Sequence, residues 1–437
     1  MRPVLIAAFA VSASLALLGA RSAAAQPSDT LLQVVLVSRH GVRTPTIPPD
    51  VMAAWAAQPW PAWKEPFGNL TAHGRALEVL VGGYHRQSLA SQGLLSGSGC
   101  PDPASIYVYA DVDQRTDETS QGLLDGLAPG CSIPIHSKFP AKVDPVFHPV
   151  QGGVCRIDPL TAQARMLERV HGALSTVVVE HREAIGLVQA ALGCCKPDFC
   201  AAFNRSKACT LPDLPTAVFG LSQGQGAYMV GALDVASGAS ETFMLEYANG
   251  MSAGDVGWGK VDLPGIQRAL ELHDATFDLL FRTPYLARRE GSSLLARVAE
   301  ALTGQAFAGL APPEPSVRDA RFVAYVGHDT SIAAIGGMLD ATWAMPGSPS
   351  NPTLPGGALV FERRRSADGR ERVSLSYLAQ TLEQMRSAAP LTLDAPPVRI
   401  PIRIPGCSTG EAGYPCAIDD FTRAIRDALE PECVSRP

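Results

Sequence analysis

The sequence predicts an α/β protein built on an open sheet with helices on both faces, into which an all-helical cap domain is inserted. Two observations predict this fold. Three short apolar runs rich in Val and Leu, typical of strands buried on both faces, each end in a cluster of polar residues. Between residues 158 and 282 the pattern changes to long helical periodicity with weak strand signals, which indicates an insert.

The apolar runs cover residues 31–38, 106–110 and 322–326. The polar clusters follow directly, at residues 39–43, 111–115 and 327–329, and helical patterns continue from the second and third clusters, at residues 116–127 and 330–339. In open α/β sheets, ligands bind at the carboxyl ends of strands, near a switch in strand order. We therefore expect three distant stretches to build one pocket.

The insert is predicted from long helical patterns at residues 160–192 and 266–281, and it could cover the pocket like a cap. After it, alternating runs at residues 358–364 and 372–379 flank an Asp-Gly pair, a strong hairpin signal. The predicted domains are therefore residues 26–157 with 283–437 for the α/β domain, and residues 158–282 for the insert.

Residues 1–25 are predicted to be an export signal peptide. Arg2 supplies a positive start, residues 4–20 form an apolar stretch, and three alanines precede Gln26 as a cleavage site. The apolar stretch is slightly short of the roughly 20 residues that span a bilayer, which favours a signal peptide over an anchor. We expect a periplasmic or secreted protein that is not membrane-bound.

The composition excludes several classes of protein. With 36 Lys+Arg against 42 Asp+Glu, no basic excess exists to neutralise a nucleic acid, and a hydrophobic share of 46% excludes a disordered chain. Ten cysteines fit an oxidising compartment, and spacing alone does not assign their pairs. The cluster at residues 194–209 has neither a paired CxxC pattern nor a histidine, so neither a metal nor a cofactor is expected.

The first polar cluster suggests phosphate chemistry at His40. Arg39 and Arg43 bracket this histidine, and two guanidiniums suit the oxygens of a phosphate monoester. Their charge also disfavours protonation of the imidazole between them. A neutral His40 could attack phosphorus and form a covalent phosphohistidine that water later resolves, with no metal.

The other two clusters supply the remaining groups. Arg115 could complete the cationic ring, and His328 could add another donor. Asp329 is then the candidate proton source for the departing alcohol, which otherwise leaves as a poor alkoxide. A protonated carboxyl group favours acidic conditions, so activity should fall on the alkaline side.

These motifs closely resemble a known family. Residues 39–45 (RHGVRTP) and 327–330 (GHDT) are similar to the signature pair of the histidine acid phosphatases, in particular the bacterial periplasmic phytases. The resemblance extends over nearly the whole chain after residue 25. It implies an α/β domain with a helical insert, a His40 nucleophile, an Asp329 proton donor, and phosphate held by Arg39, Arg43, Arg115 and His328.

The resemblance also implies four disulfides, namely Cys100–Cys131, Cys155–Cys433, Cys200–Cys209 and Cys407–Cys416. Cys194 and Cys195 have no evident partner in this pattern, and they either bridge each other or remain thiols.

The resemblance points to phytate, inositol hexakisphosphate, as the substrate. Thr46, Met251 and Thr330 match positions that line the substrate pocket of these phytases. Ile47 departs from the pattern, because some phytases have a lysine there that binds additional phosphates. A glucose-1-phosphatase or a broad-specificity acid phosphatase is the alternative. We expect a monomer acting on a small phosphate ester.

Two rival functions belong to other classes. Residues 220–224 match the GxSxG pattern of serine hydrolases, and a strand could precede them from residue 216. Ser222 lies within the predicted insert, where we expect it to cap a helix through residues 227–233. The second rival is a non-catalytic binder of phosphorylated sugars, which would have no need of an Asp beside His328.

Overall fold

The computed structural model describes residues 29–205, 209–219, 226–309, 315–348 and 350–435. The predicted signal peptide and Ser222 lie outside the described residues. The described strands are β1 Thr30–Arg39, β2 Ile106–Ala110, β3 Ile135–His136, β4 Thr216–Phe219, β5 Tyr228–Gly231, β6 Phe322–Gly327, β7 Ala358–Arg365, β8 Glu371–Ala379, β9 Val398–Ile402 and β10 Cys416–Ala417.

The α-helices of the same residues fall before, within and after the predicted insert. They are α1 Pro49–Trp55, α2 Ala72–Ser91, α3 Gln114–Leu127, α4 Pro159–Arg169, α5 Ser175–Glu180, α6 Arg182–Leu192, α7 Pro197–Ala202, α8 Ala232–Ala248, α9 Leu263–Leu280, α10 Pro284–Thr303, α11 Pro315–Arg318, α12 Asp329–Met338, α13 Leu382–Ser387 and α14 Ile418–Ala428.

One open, mixed sheet forms the body of the protein. Its strand order is β10-β8-β7-β1-β6-β2-β3, and β9 also pairs with β8. The strands β1, β6, β2 and β3 run parallel, whereas β7 to β10 pair antiparallel. The three predicted runs are therefore three adjacent parallel strands, with the last in sequence, β6, between the other two.

Helices cover both faces of this sheet. Val34, Leu36 and Phe322 face a core that α2 and α3 close, whereas Val35 and Val323 face the core that contains α10 and α12. The side chains of one strand alternate between these two cores, as expected for a strand covered on both sides. The predicted α/β fold class is confirmed. No described helix is long and apolar enough to cross a membrane.

The predicted insert contains helices α4 to α9, but it is not all-helical. Strands β4 and β5 form an antiparallel hairpin inside it. The helix predicted through residues 227–233 is wrong, since the chain stays extended to Gly231 and α8 begins at Ala232. Gly231 has φ 94°, and a Cβ there would lie 1.6 Å from the carbonyl oxygen of Pro215, so glycine allows the abrupt change from strand to helix. The insert's boundaries stay a prediction.

All ten cysteines form disulfides. The four implied pairs are present, and Cys194 is bridged to Cys195. Cys155–Cys433 links the segment before the insert to the end of the chain across 278 residues.

The hairpin predicted around Asp368-Gly369 is also confirmed, because it joins β7 to β8.

Candidate active site

The three polar clusters meet because their strands end level with one another. In the parallel register, Arg39 of β1 lies opposite Gly327 of β6, and Ala110 of β2 lies opposite Val326. The backbone N–H of His40 donates to the carbonyl of Gly327 at 2.9 Å. This pairing places residues 39–43, 111–115 and 327–329 at one edge of the sheet.

His40 is buried, and its ring geometry identifies its tautomer. Its Nδ1 lies 2.9 Å from the carbonyl oxygen of Gly41, which can only accept, so Nδ1 carries the proton. Its Nε2 lies 3.4 Å from Nε of Arg43. Burial, together with the cations Arg43 and Arg39, lowers the pKa of His40 well below its usual value. His40 is therefore a neutral imidazole with an unprotonated Nε2.

Two of the predicted arginines share one carboxylate that the sequence did not indicate. Oε1 of Glu241, on α8, lies 2.5 Å from Nη2 of Arg39 and 2.9 Å from Nη2 of Arg43. Although burial opposes ionisation, Arg43 and Arg39 lower the pKa of Glu241 to about 2. In the sequence, Glu241 is only an acidic residue in the middle of a mostly apolar helix. Without the tertiary contact, this is weak evidence for a role in the site.

The second half of the ring is formed by Arg115 and His328. Nη2 of Arg115 lies 2.6 Å from Oδ2 of Asp113 and 3.5 Å from Nδ1 of His328. The ring centroids of His328 and His40 are 5.6 Å apart. The predicted phosphate-binding residues are therefore brought together around His40.

Asp111, which the sequence placed in the second cluster without a role, holds two histidines. Its Oδ2 lies 2.7 Å from Nε2 of His328 and 2.8 Å from Nε2 of His148. Burial opposes its ionisation, but these two hydrogen bonds lower the pKa of Asp111 well below its usual value. For His328, burial outweighs the bond to Asp111 and lowers the pKa. His148 was missed because it lies on a loop with no motif.

Asp329 begins α12 and faces Arg39. Its Oδ1 accepts from the backbone N–H of Thr330 at 2.8 Å, and its Oδ2 lies 3.0 Å from Nη2 of Arg39. Both carboxylates, Asp329 and Glu241, thus contact the guanidinium group that precedes His40. The predicted proton donor is at the same sheet edge as the predicted nucleophile.

The three predicted substrate contacts lie at different places. Thr46 and Arg115 both lie near Gly68, where a built Cβ would be 3.7 Å from the Thr46 methyl and 4.0 Å from Nη1 of Arg115. Thr330 lines a cavity of 480 Å³. Met251 is not among the described residues that line this cavity. Its backbone carbonyl accepts a hydrogen bond from Nη2 of Arg386 at 2.7 Å. Their roles toward substrate stay predictions.

The cysteines that could suggest a metal site do not have free thiol groups. The sulfurs of Cys195, Cys200 and Cys209 lie within 4.8 Å of one another. Each of them belongs to a disulfide, either with Cys194 or between Cys200 and Cys209. Since the thiolate is the metal-binding form of cysteine, these sulfurs cannot ligate as the cluster suggests.

Known proteins of similar sequence and structure share this architecture. The family described as histidine phosphatase superfamily (branch 2) matches residues 30–378. Phytase AppA of Escherichia coli K12 is 35% identical over 94% of this chain and 95% of its own, and a glucose-1-phosphatase of Salmonella typhimurium is 30% identical over 97% and 98%. The structure of a Hafnia alvei phytase in complex with tartrate superposes with a TM-score of 0.87 at 37% identity, covering 93% of this chain and 99% of that one.

The fold and the arginine-rich site define the protein as a hydrolase of phosphate esters, an acid phosphatase. The chain belongs to branch 2 of the histidine phosphatase superfamily.

Proposed function

We propose that this protein is an exported acid phosphatase that removes phosphate from inositol hexakisphosphate through a phosphohistidine on His40. The observation that carries the proposal is the geometry of His40, whose Nδ1–H is held by the Gly41 carbonyl while its unprotonated Nε2 faces Arg43. A neutral imidazole oriented toward a guanidinium is poised to attack a phosphorus atom held by that cation.

In the first step, Nε2 of His40 attacks phosphorus, and the bond between phosphorus and the ester oxygen breaks. Asp329 in its acid form donates a proton to that oxygen, so the leaving group departs as an alcohol. Arg39, Arg43 and Arg115 bind the non-bridging oxygens, which carry the developing charge. His328, whose Nε2 is held by the Asp111 carboxylate, adds a donor at Nδ1 when its ring is protonated.

In the second step, water attacks the phosphorus of the phosphohistidine. The Asp329 carboxylate accepts a proton from this water, and the bond between phosphorus and Nε2 breaks. Inorganic phosphate leaves, and His40 and the acid form of Asp329 are restored.

Similarity to phytases supports inositol hexakisphosphate as the substrate. A Hafnia alvei phytase in complex with myo-inositol hexakis sulphate superposes with a TM-score of 0.85 at 36% identity. Thr46, Thr330 and Met251 are the proposed substrate contacts. The predicted signal peptide and the five disulfides support a periplasmic location, and we propose that the protein acts as a monomer.

A sugar monophosphate is the second candidate substrate, and Ile47 favours it. Ile47 lines an apolar cavity of 360 Å³ together with Trp60 and Trp63, beside the active-site loop. An apolar side chain offers nothing to an additional phosphate, so binding of a polyphosphate loses about 1 kcal/mol or more relative to a desolvated cation there.

A comparison of kcat/KM on inositol hexakisphosphate, glucose 1-phosphate and an aryl phosphate at acidic pH tests the substrate. The proposal expects the first to be the best substrate, and a clear preference for glucose 1-phosphate would replace it with the second candidate. Quenching a turnover mixture containing a ³²P-labelled substrate in alkali, where phosphohistidine is stable, should trap a labelled phosphoenzyme that loses its label in acid. Its absence under turnover, with His40→Ala still active, would refute the mechanism.

A further inference from the structure

A cavity of 480 Å³ adjoins the phosphate site on the side of the proposed proton donor. Thr330, directly after Asp329, lines it, and so does His148, whose ring centroid is 5.1 Å from that of His328. The rings of Tyr228 and Phe281 form part of its apolar wall. Since the leaving group takes its proton from Asp329, a leaving group larger than the phosphate extends toward this cavity.

Glu290, on α10, is the acidic residue among the described residues that line this cavity. Its Oε1 lies close to Gly226, where a Cβ would be 3.1 Å from it. Within the described part of the chain Glu290 has no hydrogen-bond or ion-pair partner. The neighbouring Arg289 pairs instead with Glu430 at 3.3 Å and Glu432 at 3.0 Å. None of the described residues occupies the carboxyl group of Glu290, and the described lining contains neither Lys nor Arg.

The charged group that faces Glu290 across the cavity is His148, which belongs to the loop after β3. Behind His148, its partner Asp111 stays ionised, and Asp113 lies nearby. Three other elements lie near the cavity. Helix α12 begins with Asp329, and β5 contributes the phenol of Tyr228. On α10, the charge of Arg289 is compensated by its ion pairs with Glu430 and Glu432. Electrostatics within the cavity therefore depend mainly on Glu290 and His148.

These two groups change charge in the same direction as pH rises. Burial raises the pKa of Glu290 to about 7, although His148 opposes this. Burial opposes protonation of His148, but the hydrogen bond to Asp111 outweighs it and raises the pKa. At pH 5 Glu290 is therefore largely in its neutral form, whereas at pH 8 it is largely anionic. The part of the cavity that Glu290 lines becomes less favourable to anions as pH rises.

We propose that Glu290 is a specificity-determining residue of this leaving-group cavity, which admits a polyanionic leaving group at acidic pH and rejects it above neutrality. As a carboxylic acid, Glu290 donates its O–H to an oxygen of a second phosphate or sulfate group. As a carboxylate, it repels that group at close range. A leaving group without further phosphates is insensitive to this change. The inference rests on the proposed function and deepens its substrate class.

Inhibition by myo-inositol hexakis sulphate tests this inference, since sulfate esters keep their charge between pH 5 and 8. The inhibition constant Ki is measured against hydrolysis of p-nitrophenyl phosphate at pH 5 and pH 8, in wild type and in Glu290→Gln. At pH 8 we expect Ki of Glu290→Gln to be about tenfold lower than that of wild type. At pH 5, where Glu290 is protonated and therefore as uncharged as glutamine, the Ki values of wild type and Glu290→Gln should agree within about twofold.

Two measurements separate specificity from a structural effect. Glu183→Gln removes the same charge from an exposed site on α6, where the side chain is 74% exposed, and its Ki should follow wild type at both pH values. Urea unfolding of Glu290→Gln at pH 5, compared with wild type, checks that the variant folds.

The outcomes distinguish this inference from the proposed function. If Ki depends on pH identically in wild type and Glu290→Gln, Glu290 does not determine specificity, and the proposed substrate still stands. An equal loss of p-nitrophenyl phosphate hydrolysis and of hexasulphate binding in Glu290→Gln would also overturn the inference, because it would indicate a structural role. If wild type is not inhibited at pH 5, the inositol polyphosphate substrate itself is wrong.

Discussion

Glu241 contacts Arg39 at 2.5 Å across 202 residues of sequence, and so joins α8 to the end of β1. The same carboxylate oxygen neutralises Arg43 at 2.9 Å. These guanidiniums are the proposed ligands of the substrate phosphate, so Glu241 balances their charge in the absence of a ligand and competes with phosphate for them.

Glu241→Gln should therefore lower stability and tighten phosphate binding. Loss of a buried partner leaves two cations under-compensated, which we expect to cost about 3 kcal/mol in the free energy of unfolding. Inorganic phosphate should inhibit the variant at lower concentration than wild type, since its competitor for Arg39 and Arg43 is gone. Urea unfolding and the Ki for phosphate measure the two effects. Unchanged phosphate inhibition would contradict the competition.

Activity should depend on His40 and not on Ser222. His40→Ala removes the proposed nucleophile, and we expect kcat to fall by about four orders of magnitude or more. Ser222→Ala, the matched test of the GxSxG pattern, should leave kcat within about twofold of wild type. Initial rates on an aryl phosphate at acidic pH give both numbers, and the reverse result would indicate a serine hydrolase.

Glu78 should make the protein less stable as pH rises. It is fully buried against Gly41 and Gly356, and burial raises its pKa to about 8 from an ordinary 4.5. A group whose folded pKa is raised contributes stability in full below its unfolded pKa and loses it as pH rises through its folded pKa. The loss should therefore fall between about pH 4.5 and pH 8.

Glu78→Gln, which is neutral at every pH, should abolish that part of the slope. The free energy of unfolding from urea titrations at pH 5, 6.5 and 8 measures it, with the exposed substitution Glu183→Gln as the control that keeps the wild-type slope. An equal slope in Glu78→Gln and wild type would mean that Glu78 is ionised in the folded protein.

The five disulfides should contribute unequally to stability. Cys155–Cys433 closes a loop of 278 residues, whereas Cys200–Cys209 closes one of nine. Loop-closure entropy then predicts a loss of about 6 kcal/mol when the first pair is replaced by serines and about 3 kcal/mol for the second. Chemical unfolding of the two double variants under oxidising conditions compares them, and a larger loss for the short loop would contradict the entropic account.

The sequence by itself determined the three central strands, the polar clusters at their ends and the hairpin around Asp368-Gly369, because these depend on local periodicity and turn chemistry. The sequence also indicated His40 and Asp329, since residues that directly follow parallel strands lie at the same edge of the sheet. The resemblance in motifs then supplied four of the disulfide pairs.

Only the tertiary structure decided which side chains complete the site. Glu241, His148 and Glu290 lie in segments without a motif, and they reach the site through packing between elements far apart in sequence. A strand from residue 216 was considered, but β5 was predicted as helix, because a four-residue strand carries too little periodicity to be recognised before it pairs. Local patterns specify the elements, whereas charge compensation and cavity lining depend on contacts that exist only after those elements have packed.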